Sequence, residues 1–174
     1  MTAHIPTLSL RDVETPQFVS AIGEAYEHYG FVIIENHGIP QELIDRFLHQ
    51  FKTFFAWTEA EKHRFHLKGG GGARGYTPFG IETAKGSAHF DLKEFWHIGR
   101  ELPEGHPYRH YMADNVWIDS IPGFRETCIE MFDMFDLTGR RLLTAIARVL
   151  KLAPDYFEDK VQLGNSVLRV IHYP

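Results

Sequence analysis

Eleven histidines are spread over the 174 residues of this chain, and histidines near carboxylates are the raw material of a metal centre. An iron site of the two-histidine, one-carboxylate kind needs two imidazoles and one carboxylate on one face, with positions left open for substrate and oxygen. His63 and His66 are three apart on a short helical stretch and can share a face. However, Lys62, Arg64 and Lys68 surround them with positive charge that repels a cation. His106 and His110 flank Pro107 without a carboxylate at dipeptide spacing. His89-Phe90-Asp91 is the only His-x-Asp in the chain, so it is the one internal candidate, with no helical or strand framework visible around it. No Ser-His-Asp order, phosphate loop or Cys-His pattern stands out. Gly70, Gly72 and Gly75 formally match G-x-G-x-x-G, but that motif needs a strand before it and a helix after it. Here a helix precedes, and Gly75-Tyr76-Thr77-Pro78 cannot begin one. The glycine run reads as a mobile surface loop or, because it carries Arg74 and Tyr76, as a loop feeding a substrate pocket.

Composition bounds what such a site can serve. Apolar side chains make up 44% of the chain, with fourteen Phe, seven Tyr and three Trp, which suits one sheet-bearing globular domain and argues against disorder. A net charge of −5 gives no support to a nucleic-acid surface. No apolar run approaches the roughly 20 residues of a membrane helix, and the N-terminus lacks the regions of a signal peptide. The single cysteine, Cys128, rules out an internal disulfide, so a cytoplasmic location is expected.

The elements that must position these residues follow from local pattern. Gly30-Phe31-Val32-Ile33-Ile34-Glu35-Asn36-His37-Gly38-Ile39-Pro40 reads as the central strand, buried on both faces, with a tight exit in which His37 serves as a turn residue. Residues 5–10 read as an edge strand. Thr15-Pro16 opens a helix that Gly30 ends. A broad apolar stripe from Leu43 to Phe55 forms the next helix, and Thr58-(x)2-Glu61 is a capping box. Residues 92–98 alternate as a half-buried strand, and Gly99 to Pro122 is a long structured loop. A spine helix runs from about Gly123 to Leu150, with acidic residues early and basic residues late, as its dipole favours. Residues 166–173 form a last strand.

Taken together, several short strings resemble a known family. The Gly30–Ile39 stretch, Ile5-Pro6, Phe54-Phe55, Gly75-Tyr76, Asp91-(x)2-Glu94-Phe95, Trp117-(x)6-Phe124-Arg125 and Leu168-Arg169-(x)3-Tyr173-Pro174 occur in the order and rough spacing of the isopenicillin-N-synthase-like, 2-oxoglutarate- and iron-dependent dioxygenases. The resemblance implies an α+β fold, with helices packed on a distorted double-stranded β-helix (jelly-roll) core, incomplete in this chain. Residues 1–122 would be the N-terminal dioxygenase region. Residues 123–174 would be the spine helix and the first part of the core, stopping before the metal-ligand motifs.

The implied function is that of the N-terminal part of an oxygenase that oxidises a small molecule with O2, using Fe(II) and 2-oxoglutarate as cosubstrate. The alternative is a non-catalytic binding or dimerisation module built on the same half of the fold. In the family the iron ligands and the 2-oxoglutarate anchor follow the Tyr-Pro of the last strand. No residue of this chain is therefore expected to hold iron or to be catalytic, the chain alone is expected to be inactive, and His89-Phe90-Asp91 is a coincidence. Alternation in the last strand puts Arg169, Ile171 and Tyr173 on one face and Leu168, Val170 and His172 on the other. The resemblance turns the first set toward the active site, with Tyr173 and Arg169 as cosubstrate-binding residues; Ile171 departs from the family pattern. Arg74, Tyr76, Glu82 and Trp96 correspond to regions lining the substrate entrance, with surface and packing as their plainer roles.

Overall fold

The computed structural model describes residues 4–83 and 89–174, which fall into two compact units. One unit comprises residues up to Pro40 together with Asp133–Gly164; the other comprises Gln41–Phe132 together with Asn165–Pro174.

In the first unit, β1 (Thr7–Ser9) pairs in parallel with β2 (Ile33–Glu35). The expected edge strand is shorter than read, because a 3₁₀ turn at Leu10–Asp12 takes over after Ser9. Helix α1 (Pro16–Tyr29) begins where its local chemistry says it should. The Thr15 side chain accepts the Phe18 N–H, and Gly30 ends the helix at φ 69°. The expectation that the Gly30–Pro40 strand is buried on both faces is corrected. Val32 and Ile34 pack against Leu10, Val13, Phe18, Ile22 and Ala145, whereas Phe31 and Ile33 are exposed. A two-stranded sheet buries one face here, and the unbroken apolar run hid the alternation. His37 is the turn residue expected, its Nδ1 accepting the Ile39 N–H at 3.1 Å.

The spine helix is α4 (Phe124–Val149). Its later arginines do more than complement a dipole. Arg140 pairs with Asp136 and Glu158, Arg141 donates to the Leu10 carbonyl and Arg148 to the Glu14 carbonyl. A short helix, α5 (Glu158–Val161), follows.

The second unit is built on an antiparallel three-stranded sheet in the order β3 (Gly75–Thr77), β4 (Glu94–Gly99), β5 (Val167–His172). Helix α2 (Gln41–Phe55) lays Phe47, Phe51, Phe54 and Phe55 into the core of this unit. The capping box at Thr58 and Glu61 forms as read, opening α3 (Glu59–Lys62). β4 was expected to be half-buried, but all six of its residues are buried, because it lies between two strands with both faces covered. Mixed helix and partial sheet give the α+β class, and the sheet is consistent with an incomplete jelly roll.

Candidate functional site

Alternation along β4 divides the chemistry of the second unit between two faces of one sheet. Glu94, Trp96 and Ile98 share one face with Tyr76, opposite Trp96, and with His172, opposite Glu94. Phe95, His97 and Gly99 share the other with Ile171 and Arg169, which lie opposite Phe95 and His97.

The first face is aromatic. Trp96 meets Phe54 edge-on at 4.9 Å and Phe124 at 5.5 Å, and Tyr76 meets Phe54 at 5.4 Å. At its border sits a buried polar cluster. Lys62 Nζ donates to both oxygens of Glu94, at 2.9 and 2.7 Å. The Tyr76 hydroxyl donates to Glu94 Oε2 at 2.5 Å, and His172 Nδ1 donates to Oε1 at 2.9 Å. Burial works to raise the Glu94 pKa, but the hydrogen bonds from Lys62, Tyr76 and His172 outweigh it and hold the carboxyl below its usual range. Burial, then the bond to Glu94, pushes the Tyr76 phenol far up. Tyr76 thus stays a neutral donor, and this cluster is a structural anchor.

The second face carries less saturated groups. The Arg169 guanidinium lies over the Phe95 ring, 4.3 Å from its centroid. Its Nε–H donates to His97 Nε2 at 2.5 Å, and its Nη2 reaches Glu82 Oε1 at 3.4 Å. Glu82 also pairs with Lys93, which holds Asp91 as well. His97 Nδ1 donates to the Gly72 carbonyl. These two bonds fix the imidazole's state, because an Nε2 that accepts from a guanidinium carries no proton. Burial lowers the His97 pKa, and the charges of Arg169 and Arg74 lower it further against the Gly72 bond and Glu82. The ring is therefore neutral and protonated on Nδ1.

Arg74 lies on this same face, since a Cβ on Gly99 would overlap its guanidinium. It is 3% exposed. It donates to the Ala73 carbonyl and, at 3.2 Å, to Asn165, and among the described residues its Nε has no partner. Burial lowers its pKa. The Thr77 hydroxyl on this face is also buried, without a partner among the described residues. The glycine run is no phosphate cradle, because it leads into β3 rather than a helix. It instead lies against this face of the sheet, where the Gly72 carbonyl meets His97 and a Cβ on Gly72 would sit 3.0 Å from the Thr77 hydroxyl oxygen.

The residues singled out from sequence are therefore not one cluster. Arg169 and Glu82 come together, with Arg74 on the same face. Tyr76 and Trp96 are fully buried in the aromatic face, and neither ring reaches the face that carries Arg169. Tyr173 lies just past β5 and is 62% exposed. The alternation read for the last strand holds, with Arg169 and Ile171 exposed and Val170 and His172 half-buried. Among the described residues no group of three or more His, Cys, Asp or Glu side chains is placed to hold a metal ion. His63 and His66 instead donate to the carbonyls of Glu59 and Tyr76. Sequence reading passed over His97, and its placing of Lys62 in a basic patch around His63 and His66 is corrected, since Lys62 is buried against Glu94. Period-two spacing along β4 from Phe95, on the face opposite Glu94, could have pointed to His97, whereas nothing local ties Lys62 to a carboxylate 32 residues away.

Similarity to known proteins bears on this arrangement. The 2-oxoglutarate-Fe(II) type oxidoreductase hxnY of Emericella nidulans is 29% identical over 165 residues, which cover 91% of this chain and 47% of that protein. A crystal structure from Caulobacter crescentus, assigned to the 2OG-Fe(II) oxygenase family, is 44% identical with a TM-score of 0.89, over 99% of this chain and 57% of that one. The full-length Neurospora crassa T7H in complex with alpha-KG is 25% identical with a TM-score of 0.79, over 98% and 54%. The chain thus spans about half the length of the relatives it matches. A family model described as non-haem dioxygenase in morphine synthesis N-terminal matches residues 5–120, and the chain belongs to that family.

Proposed function

We propose that the protein this chain represents is a 2-oxoglutarate- and Fe(II)-dependent dioxygenase that oxidises a small molecule with O2. The observation that carries the site reading is Arg169, a guanidinium 37% exposed on the sheet face opposite the aromatic core, braced by Phe95 and His97. Such a group suits bidentate recognition of a carboxylate. In this reading Arg169 and Tyr173 contact 2-oxoglutarate, and Glu82 borders the substrate, with Arg74 as a buried cation behind it. Tyr76 and Trp96 act from the far face by holding the sheet. Iron would supply the oxidising chemistry, held by residues other than those described here, so this chain alone is expected to turn nothing over.

In this reading residues 1–122 form the N-terminal region and residues 123–174 the start of the core. No described helix is long and apolar enough to cross a membrane, and a reducing cytoplasm is the proposed setting, with Cys128 buried and its thiol pKa raised by burial. The test is titration of 2-oxoglutarate into the purified chain, followed by calorimetry and NMR. Saturable binding that Arg169→Ala weakens supports the reading. Binding unaffected by Arg169→Ala and Tyr173→Phe, or no binding at all, removes the cosubstrate role from this face.

A further inference from the structure

Arg169 presents only part of its donor set to a ligand. Its Nε is taken by His97 Nε2, and its Nη2 makes a long contact to the partly exposed Glu82. Among the described residues its Nη1 has no partner. Phe95 fixes the plane of the group from one side. His97 is in turn locked by the Gly72 carbonyl, which selects the tautomer whose Nε2 accepts.

We propose that His97 is a positioning residue for Arg169, holding the guanidinium by Nε so that the Nη1–Nη2 fork is directed away from β4 toward a carboxylate ligand. This rests on the cosubstrate reading above only for the identity of that ligand. The physical argument is preorganisation. An arginine side chain has several rotatable bonds, and freezing them on binding costs affinity. Here the freezing is done in advance by a neutral acceptor. A lysine or a protonated histidine at position 97 would repel Arg169, and an aliphatic or phenyl side chain would offer no acceptor. A glutamine would offer its carbonyl oxygen near the position of Nε2.

The test uses the whole chain, labelled with ¹⁵N, with 2-oxoglutarate as the carboxylate probe. NMR of the His97 ring should show Nδ1 protonated and Nε2 bare at neutral pH. The Arg169 Nε–H should exchange with solvent about tenfold faster in His97→Phe, the scale of one lost hydrogen bond, and near the wild-type rate in His97→Gln. The affinity for 2-oxoglutarate should fall about tenfold in His97→Phe, recover in His97→Gln, and fall no further when His97→Phe is added to Arg169→Ala. An Nε2-protonated ring in the wild type, Nε–H exchange unchanged in His97→Phe, or independent, additive losses from the two substitutions would overturn the proposal. If the wild type shows the expected ring and Arg169 signals yet binds no 2-oxoglutarate, the cosubstrate reading falls and the positioning role stands.

Discussion

Lys62 Nζ contacts both carboxylate oxygens of Glu94, at 2.9 and 2.7 Å, in a place where the two side chains are 5% and 1% exposed. Removing one member of such a pair strands a buried charge, at a cost of about 3–5 kcal/mol. Lys62→Met should lower stability by that order in urea unfolding. Lys62→Met with Glu94→Gln, which removes both charges and leaves an acceptor for Tyr76, should recover part of the loss.

The same carboxylate sets an acid limit. The folded-state pKa of Glu94 lies below its unfolded value, so its ionised form contributes stability that is present above about pH 4.3 and is lost as pH falls through the lower folded pKa. Thermal melts should show the gap between wild type and Glu94→Gln closing below about pH 4.3. A gap that stays constant down to acid pH would show that Glu94 is not ionised in the fold.

Gly99 has no room for a side chain, since a Cβ there would collide with the Arg74 guanidinium. Gly99→Ala should cost about 1–3 kcal/mol, the range of overpacking. In an Arg74→Ala background, where the obstruction is gone, the cost should drop below about 1 kcal/mol. Denaturant titrations of the four proteins check this.

The two faces of β5 should separate stability from binding. His172 stacks on Phe55 at 5.0 Å and donates to Glu94, so His172→Ala should lower the melting temperature, with a loss of about 1–3 kcal/mol. Arg169→Ala should leave the melt within about 1 kcal/mol of wild type. Tyr173→Phe and Arg169→Ala should instead weaken 2-oxoglutarate, each by about tenfold or more. Melts and calorimetry on the same samples distinguish the two classes.

Much of the fold was legible in the sequence because its signals are local. Thr15 with Gly30, and Thr58 with Glu61, mark helix ends through backbone groups only a few residues away, and the alternation of β5 needs only its own six residues. What escaped reading depends on distant partners. β4 read as half-buried because Glu94 and His97 are polar, yet Lys62, Tyr76 and His172 satisfy the one, and Gly72 and Arg169 the other. Phe31 and Ile33 failed in the opposite sense, since apolar side chains give no warning that they will be left exposed. For the site, the placement of Arg169 followed from strand period, whereas the burial of Tyr76 and Trp96 depended on which face of the sheet the aromatic helices cover, and that of Arg74 on distant neighbours, Gly99 and Asn165.

Glu94 gathers donors from α3, β3 and β5, and His97 stands three residues further along the same strand, on the reverse face. A slip of β5 by one residue would turn every one of its side chains over. His172 would leave Glu94 in the same movement that takes Arg169 from His97. The buried carboxylate therefore acts as an index mark for the guanidinium on the other side of the sheet. A molecule with Arg169 out of place is also one with an under-bonded charge in its core, so misalignment of the face that carries Arg169 is penalised as the chain folds.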